Sequence, residues 1–159
     1  MFEVESYQGS REANYNLVIK QARALLEDEP NRIANLSNAS ALLNQFLQEI
    51  NWVGFYLMDN GELVLGPFQG LPACVRIPLG KGVCGTSAAL KETVRVDDVH
   101  QFPGHIACDA ASQSEIVIPL LKNGELIGVL DIDSPIVNRF DEIDQKKLEE
   151  FVEAIISYI

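Results

Sequence analysis

The chain has 159 residues, 47% apolar and 22% charged, an ordinary globular mixture long enough for one domain with a real core. Twelve Lys and Arg against 23 Asp and Glu give a net charge of −11; such a surface repels nucleic-acid phosphates and anionic lipid, so neither is expected as a partner. No apolar run approaches the roughly 20 residues that span a bilayer, and the acidic start M-F-E-V-E-S-Y-Q lacks the apolar core of a signal peptide, so a cytoplasmic location is expected.

Residues 1–10 read as a loose arm. From about Glu12 to Glu27, Tyr15, Val18, Ala22, Leu25 and Leu26 recur at helical spacing. Asp28-Glu29-Pro30 ends that helix, because the residue before a proline avoids the helical region. A second helix fits Arg32 to Gln48, with Leu36, Ala39, Leu43, Phe46, Leu47 and Ile50 along one stripe and Asn31 placed to cap it. The period then changes. Asn51 to Met58 and Glu62 to Gln69 read as strands about the turn signal Asp59-Asn60-Gly61, and Cys74 to Pro78 as a short third strand. The glycine-rich run Gly80-Lys81-Gly82-Val83-Cys84-Gly85 is expected as a tight turn before a short helix from Ser87 to Lys91. Thr93 to Val96 is a brief strand. Residues 97–114 form a loop whose length is usually functional, with a turn of helix near Ala110. Glu115 to Lys122 and Glu125 to Asp133 are strands joined about Asn123-Gly124, and Asp141 caps a last helix to about Tyr158. This order predicts a single α+β domain over 1–159: an antiparallel sheet with the first and last helices packed on one face and long loops over the other.

The stretch from Val94 to Asp133 concentrates the chemistry. Its loop carries both histidines, His100 and His105, and Cys108; Glu115 opens one apolar run, and Asp131 and Asp133 close the other. Acids set against apolar runs need a partner, which can be a cation, an Arg or a backbone N–H. Asp131 and Asp133, two apart on a strand, share a face about 7 Å apart, with Ile132 turned to the core. They either cap a strand end or form a cation site that Glu115 strengthens. Three cysteines without a secretory signal argue against a structural disulfide framework. The cysteines are either buried inert thiols, which Cys84 between Val83 and Gly85 fits well, or redox-active: Cys74 and Cys108 at loop edges meet the requirement for a nucleophile and its resolving partner if they can approach each other. A zinc site from Cys74, Cys84, Cys108, His100 and His105 lacks any tight chelating pair, so no metal is expected. The glycine-rich run departs from the phosphate-binding pattern, with Lys81 at the wrong offset. Trp52 is either core or the wall of a pocket.

S-E-I-V-I-P-L, then G-E-L-I-G-V-L-D-I-D-S-P, then F-D-E-I-D-Q-K-K-L-E-E-F-V-E-A-I resembles the C-terminal half of a GAF domain. With N-W-V-G-F-Y-L, F-Q-G-L-P-A-C-V-R-I, G-K-G-V-C-G-T and H-Q-F-P-G-H-I-A-C-D added, the set resembles the free methionine-(R)-sulfoxide reductases over about residues 15–156. The resemblance implies a six-stranded antiparallel sheet with helices behind it and a ligand pocket in front. It implies reduction of free L-methionine (R)-sulfoxide, a homodimer, no bound cofactor, and recycling by thioredoxin. Residue by residue, Cys108 matches the nucleophile, Cys74 the resolving thiol, and Cys84 an auxiliary pocket cysteine. Glu115, Asp131 and Asp133 match the substrate-binding acids.

That chemistry suits the residues. Thiolate attack on a sulfoxide needs a proton delivered to its oxygen, which a carboxyl held neutral in a closed pocket can supply. Three crowded acids raise one another's pKa. A remaining carboxylate would hold the α-ammonium that a peptide-bound residue lacks, and Trp52 would wall the methyl group. The rival from another class is a GAF sensor that binds a small ligand, or responds to cysteine oxidation, without turnover; fold alone does not choose.

Overall fold

Two Asn-Gly turns lay out the sheet. In the computed structural model, which describes residues 2–3, 6–106 and 108–159, Asn60-Gly61 and Asn123-Gly124 all have positive φ. That backbone matches the twist of a tight hairpin. The first turn joins β1 (Trp52–Asp59) to β2 (Glu62–Gly70), and the second joins β5 (Ser114–Lys122) to β6 (Glu125–Ser134). The short strands β3 (Arg76–Pro78) and β4 (Val94–Val96) form the two edges. The order is β3-β2-β1-β6-β5-β4, antiparallel throughout, so β1 and β6 meet at the centre and bring the two hairpins together.

Alternation sorts the side chains. Val53 and Phe55 of β1, Ile116, Ile118 and Leu120 of β5, and Leu130 and Ile132 of β6 pack into one core with α1 (Arg11–Leu26), α2 (Arg32–Phe46) and α4 (Glu142–Ile155). Trp52, Tyr56, Val117 and Val129 face the opposite side, among Ile77, Val83, Cys84 and Val99. Asn31 caps α2 as expected, and Asp141 caps α4 in a reciprocal box with Asp144. Buried Asp144 also accepts from the Tyr15 hydroxyl and pairs with Arg11 and Arg139, which ties α1 to α4.

This is the α+β architecture expected from the sequence, with three local differences. Cys74 lies in the loop before β3 rather than in the strand. The third helix, α3 (Gly82–Leu90), starts inside the glycine-rich run and packs on the loop face, away from the other helices. The expected tight turn is present, with Gly80 and Gly82 at positive φ and the Lys81 N–H donating to the Pro78 carbonyl, but Gly85 serves close approach instead: a Cβ there would collide with the Pro78 carbonyl. The expected loose arm is partly tied down, since Tyr7 packs edge-on against Phe46; residues 1, 4 and 5 of that arm lie outside the described residues.

Candidate active site

Strand register builds the site. Asp133 stands opposite Trp52 on one side and Glu115 on the other, so the three form a row across β1, β6 and β5. Asp131 sits one row back, between Gly54 and Val117. Directly opposed residues have Cβ atoms about 5 Å apart, which crowds three carboxyls into one patch. Gly54 and Val117 offer Asp131 no charge to pair with. Glu115 and Asp131 are 7% and 5% exposed, too deep for water to neutralise them. α3 then lays Cys84 over the acids, its Sγ 3.9 Å from Glu115 Oε2.

Burial raises all four groups. Glu115 is pushed well above the usual carboxyl range by burial and then by repulsion from Asp131 and Asp133. Asp133 is likewise pushed well up by burial and by Asp131, against a hydrogen bond from Glu115. Burial also raises Asp131, but hydrogen bonds from Glu115 and Cys84 oppose the shift and favour its anion. The Cys84 thiol is driven well up by burial and by the neighbouring Asp131, which keeps it protonated and inert. One Asp131 oxygen, Oδ1, is buried with no hydrogen-bond partner.

The raised acids have a cost that stability measurements detect. Between its unfolded pKa, near 4.5, and its raised folded value, Glu115 takes up a proton on folding, so stability falls as pH rises through that window. Glu115→Gln removes one such proton. The mutant is expected to lose less stability between pH 5 and 8 than the parent, by up to about 1.4 kcal/mol per pH unit. Parallel denaturant melts with identical pH slopes would contradict the assignment.

Cys108 lines the same pocket as the acids and is joined to Cys74 in a disulfide with Cα atoms 5.5 Å apart. Tyr56 anchors the Cys74 side by donating its hydroxyl to the Cys74 carbonyl at 2.9 Å, and burial keeps that phenol protonated. Trp52 donates Nε1–H to Leu71 O at 3.1 Å and stacks between Tyr56 and Phe68. It is therefore both core and pocket wall. The cavity that Trp52 and Tyr56 border is about 40 Å³, room for a few waters. His105 lines it, with burial holding its imidazole below the usual range; His100 is exposed outside it.

Among the described residues, the cysteines and histidines weighed as zinc ligands do not bring three donor atoms within reach of one ion, and Cys74 and Cys108 are taken up by the disulfide. The cluster whose donor atoms could reach one ion is instead Cys84, Glu115 and Asp131, within 4.8 Å of one another. Tyr56, Asp109 and Ser112 also line the pocket and were not singled out from the sequence. Tyr56 was within reach of the alternation argument, since it shares a face with Trp52. Asp109 and Ser112 depend on how the long loop folds back, which has no local signature.

The fold and pocket are those of a GAF domain, and the GAF family matches residues 17–159. Protein YtsP of Bacillus subtilis is 60% identical over 98% of this chain and 96% of its own. Free methionine-R-sulfoxide reductase of Escherichia coli is 56% identical over 81% of this chain and 78% of its own. The X-ray structure of free methionine-R-sulfoxide reductase from Neisseria meningitidis in complex with its substrate superposes with a TM-score of 0.95, at 44% identity, covering 99% of this chain and 95% of that one. The chain belongs to the free methionine-R-sulfoxide reductase family of GAF-domain proteins.

Proposed function

We infer that this protein reduces free L-methionine (R)-sulfoxide to L-methionine. The observation that carries the reading is a pocket lined both by buried, raised carboxyls and by Cys108, one member of a redox-capable cysteine pair. Trp52 and Tyr56 offer apolar surface for the methyl and methylene groups. Glu115 and Asp133, the acids pushed furthest up, act as proton donors to the sulfoxide oxygen. Asp131, raised by burial but less far than the other two acids, balances the α-ammonium.

In the reduced protein the Cys108 thiolate attacks the substrate sulfur while a carboxyl protonates the oxygen. Oxygen passes to Cys108 as methionine leaves; the substrate sulfur gains two electrons and Cys108 becomes a sulfenic acid. The Cys74 thiol attacks that sulfur and expels water, which leaves the disulfide. An external dithiol then reduces it, becoming a disulfide itself. Thioredoxin as that dithiol, a homodimer, a cytoplasmic location and a single domain over 1–159 complete the proposal; they rest on the family resemblance and the surface charge.

The test is consumption of free methionine sulfoxide in the presence of thioredoxin, its reductase and NADPH, with methionine formed in equal amount. NADPH oxidation that does not depend on methionine sulfoxide would contradict the reading and favour a sensor. Cys84, inert in its buried setting, has a supporting part. Cys84→Ser is expected to keep multiple-turnover activity within about tenfold of the parent, and activity as low as that of a Cys108 mutant would show the roles to be misassigned.

A further inference from the structure

The thiol and the acids of the proposed reaction come from different parts of the chain. Glu115, Asp131 and Asp133 are fixed by the sheet, whereas Cys108 lies in the long loop after β4. Once the disulfide opens for turnover, something else must hold Cys108 over the acids. Among the described residues, only Asn51 reaches the segment Cys108–Ser112 from elsewhere with side-chain hydrogen bonds. Its Nδ2 donates to Asp109 Oδ2 at 3.0 Å and to Ser112 Oγ at 3.1 Å. Its backbone N–H donates to the Asp133 carbonyl at 2.9 Å. One residue thus grips both the acid-bearing strand and the loop beside Cys108.

The geometry points to Asn51 as a positioning residue that sets the reach of the Cys108 sulfur to the substrate. Asp109 directly follows Cys108 and is locked in its own turn by accepting Ala111 N–H at Oδ1, 2.8 Å. Gripping Asp109 therefore fixes the backbone at the next residue. The orientation of the Asn51 amide is costly, because its Oδ1 is buried without a partner. Both donor contacts that hold it there go to the loop. Attack on sulfur requires the reacting atoms about 3 to 3.5 Å apart, so a loop free to shift by 1 Å loses rate on the order of a hundredfold. This inference rests on the proposed role of Cys108.

The test is single-turnover methionine formation by reduced protein without added reductant. The parent must form about one equivalent; if it does not, the functional reading fails before Asn51 is at issue. Asn51→Ala is expected to slow that step by about tenfold or more, with half-saturation by substrate changed less than about threefold. A structural role alone would lower the melting temperature without that split. A swap of the pair supplies the second arm. Asn51→Asp sets two carboxylates against each other, and Asp109→Asn sets two amide donors against each other. The double variant restores the pairing in reverse: the amide now at position 109 would accept from Ala111 and donate to the carboxylate now at position 51, which also accepts from Ser112. The double variant is expected to be within about threefold of the parent, and each single variant at least about tenfold slower. Asn51→Ala at the parental rate, or a double variant no faster than the slower single, overturns the proposal.

Discussion

Cys108→Ser is expected to form no methionine, even in a single turnover with the protein fully reduced beforehand. A serine hydroxyl is not ionised near neutral pH and is a far weaker nucleophile toward sulfur, so the first step has no substitute. Cys84 cannot stand in, because burial and Asp131 keep its thiol protonated. Cys74→Ser separates the two steps. It leaves attack and oxygen transfer intact, so about one equivalent of methionine should appear before turnover slows or stops for want of a resolving thiol. Rapid mixing of reduced protein with sulfoxide, counting methionine per site, distinguishes the two. A full burst from Cys108→Ser would refute the nucleophile. No burst from a folded Cys74→Ser would place Cys74 in the first chemical step.

The second large effect belongs to Asp133. Asp133→Asn keeps the shape but removes an acidic proton from the row that faces the substrate. A loss of at least about tenfold in kcat/KM is expected, roughly 1.4 kcal/mol of transition-state stabilisation. Its pH profile carries the sign. In the parent the donor works in its protonated form, and burial lifts its pKa. Activity therefore holds below that raised value and declines as pH rises through it. Asparagine has no such proton, so the variant is expected to be lower and its remaining profile flatter. A folded variant with parental kinetics would remove Asp133 from the site.

Much of this was legible because the signals were local. The Asn-Gly pairs marked both hairpins, and both adopt the positive-φ turns that such pairs favour. Alternation placed Asp131 and Asp133 on one face and Ile132 on the other, and Ile132 is fully buried in the helix-side core. Glu115 was recognisable as an acid against an apolar run, but its place opposite Asp133 needed the register of β5 on β6. The misreadings were also physical. Glycines in 80–85 read as turn formers, and Gly80 and Gly82 are, but the start of α3 at Gly82 was missed, because Gly85 admits the backbone of β3 and lets the helix begin early over the acids. Asn51 carried no signal: an asparagine before a strand is ordinary, and its partners lie 58 and 61 residues away.

The central claim, reduction of one diastereomer of the free amino acid, is tested most directly by chromatography. Protein, thioredoxin, its reductase and NADPH are incubated with an equal mixture of free L-methionine (R)- and (S)-sulfoxide, and in parallel with the N-acetylated mixture. The account predicts complete loss of the free (R) form with matching methionine, an unchanged (S) form, and little or no reaction once the ammonium that Asp131 balances is blocked. Equal consumption of both free forms, or of the free and acetylated substrates, would contradict it.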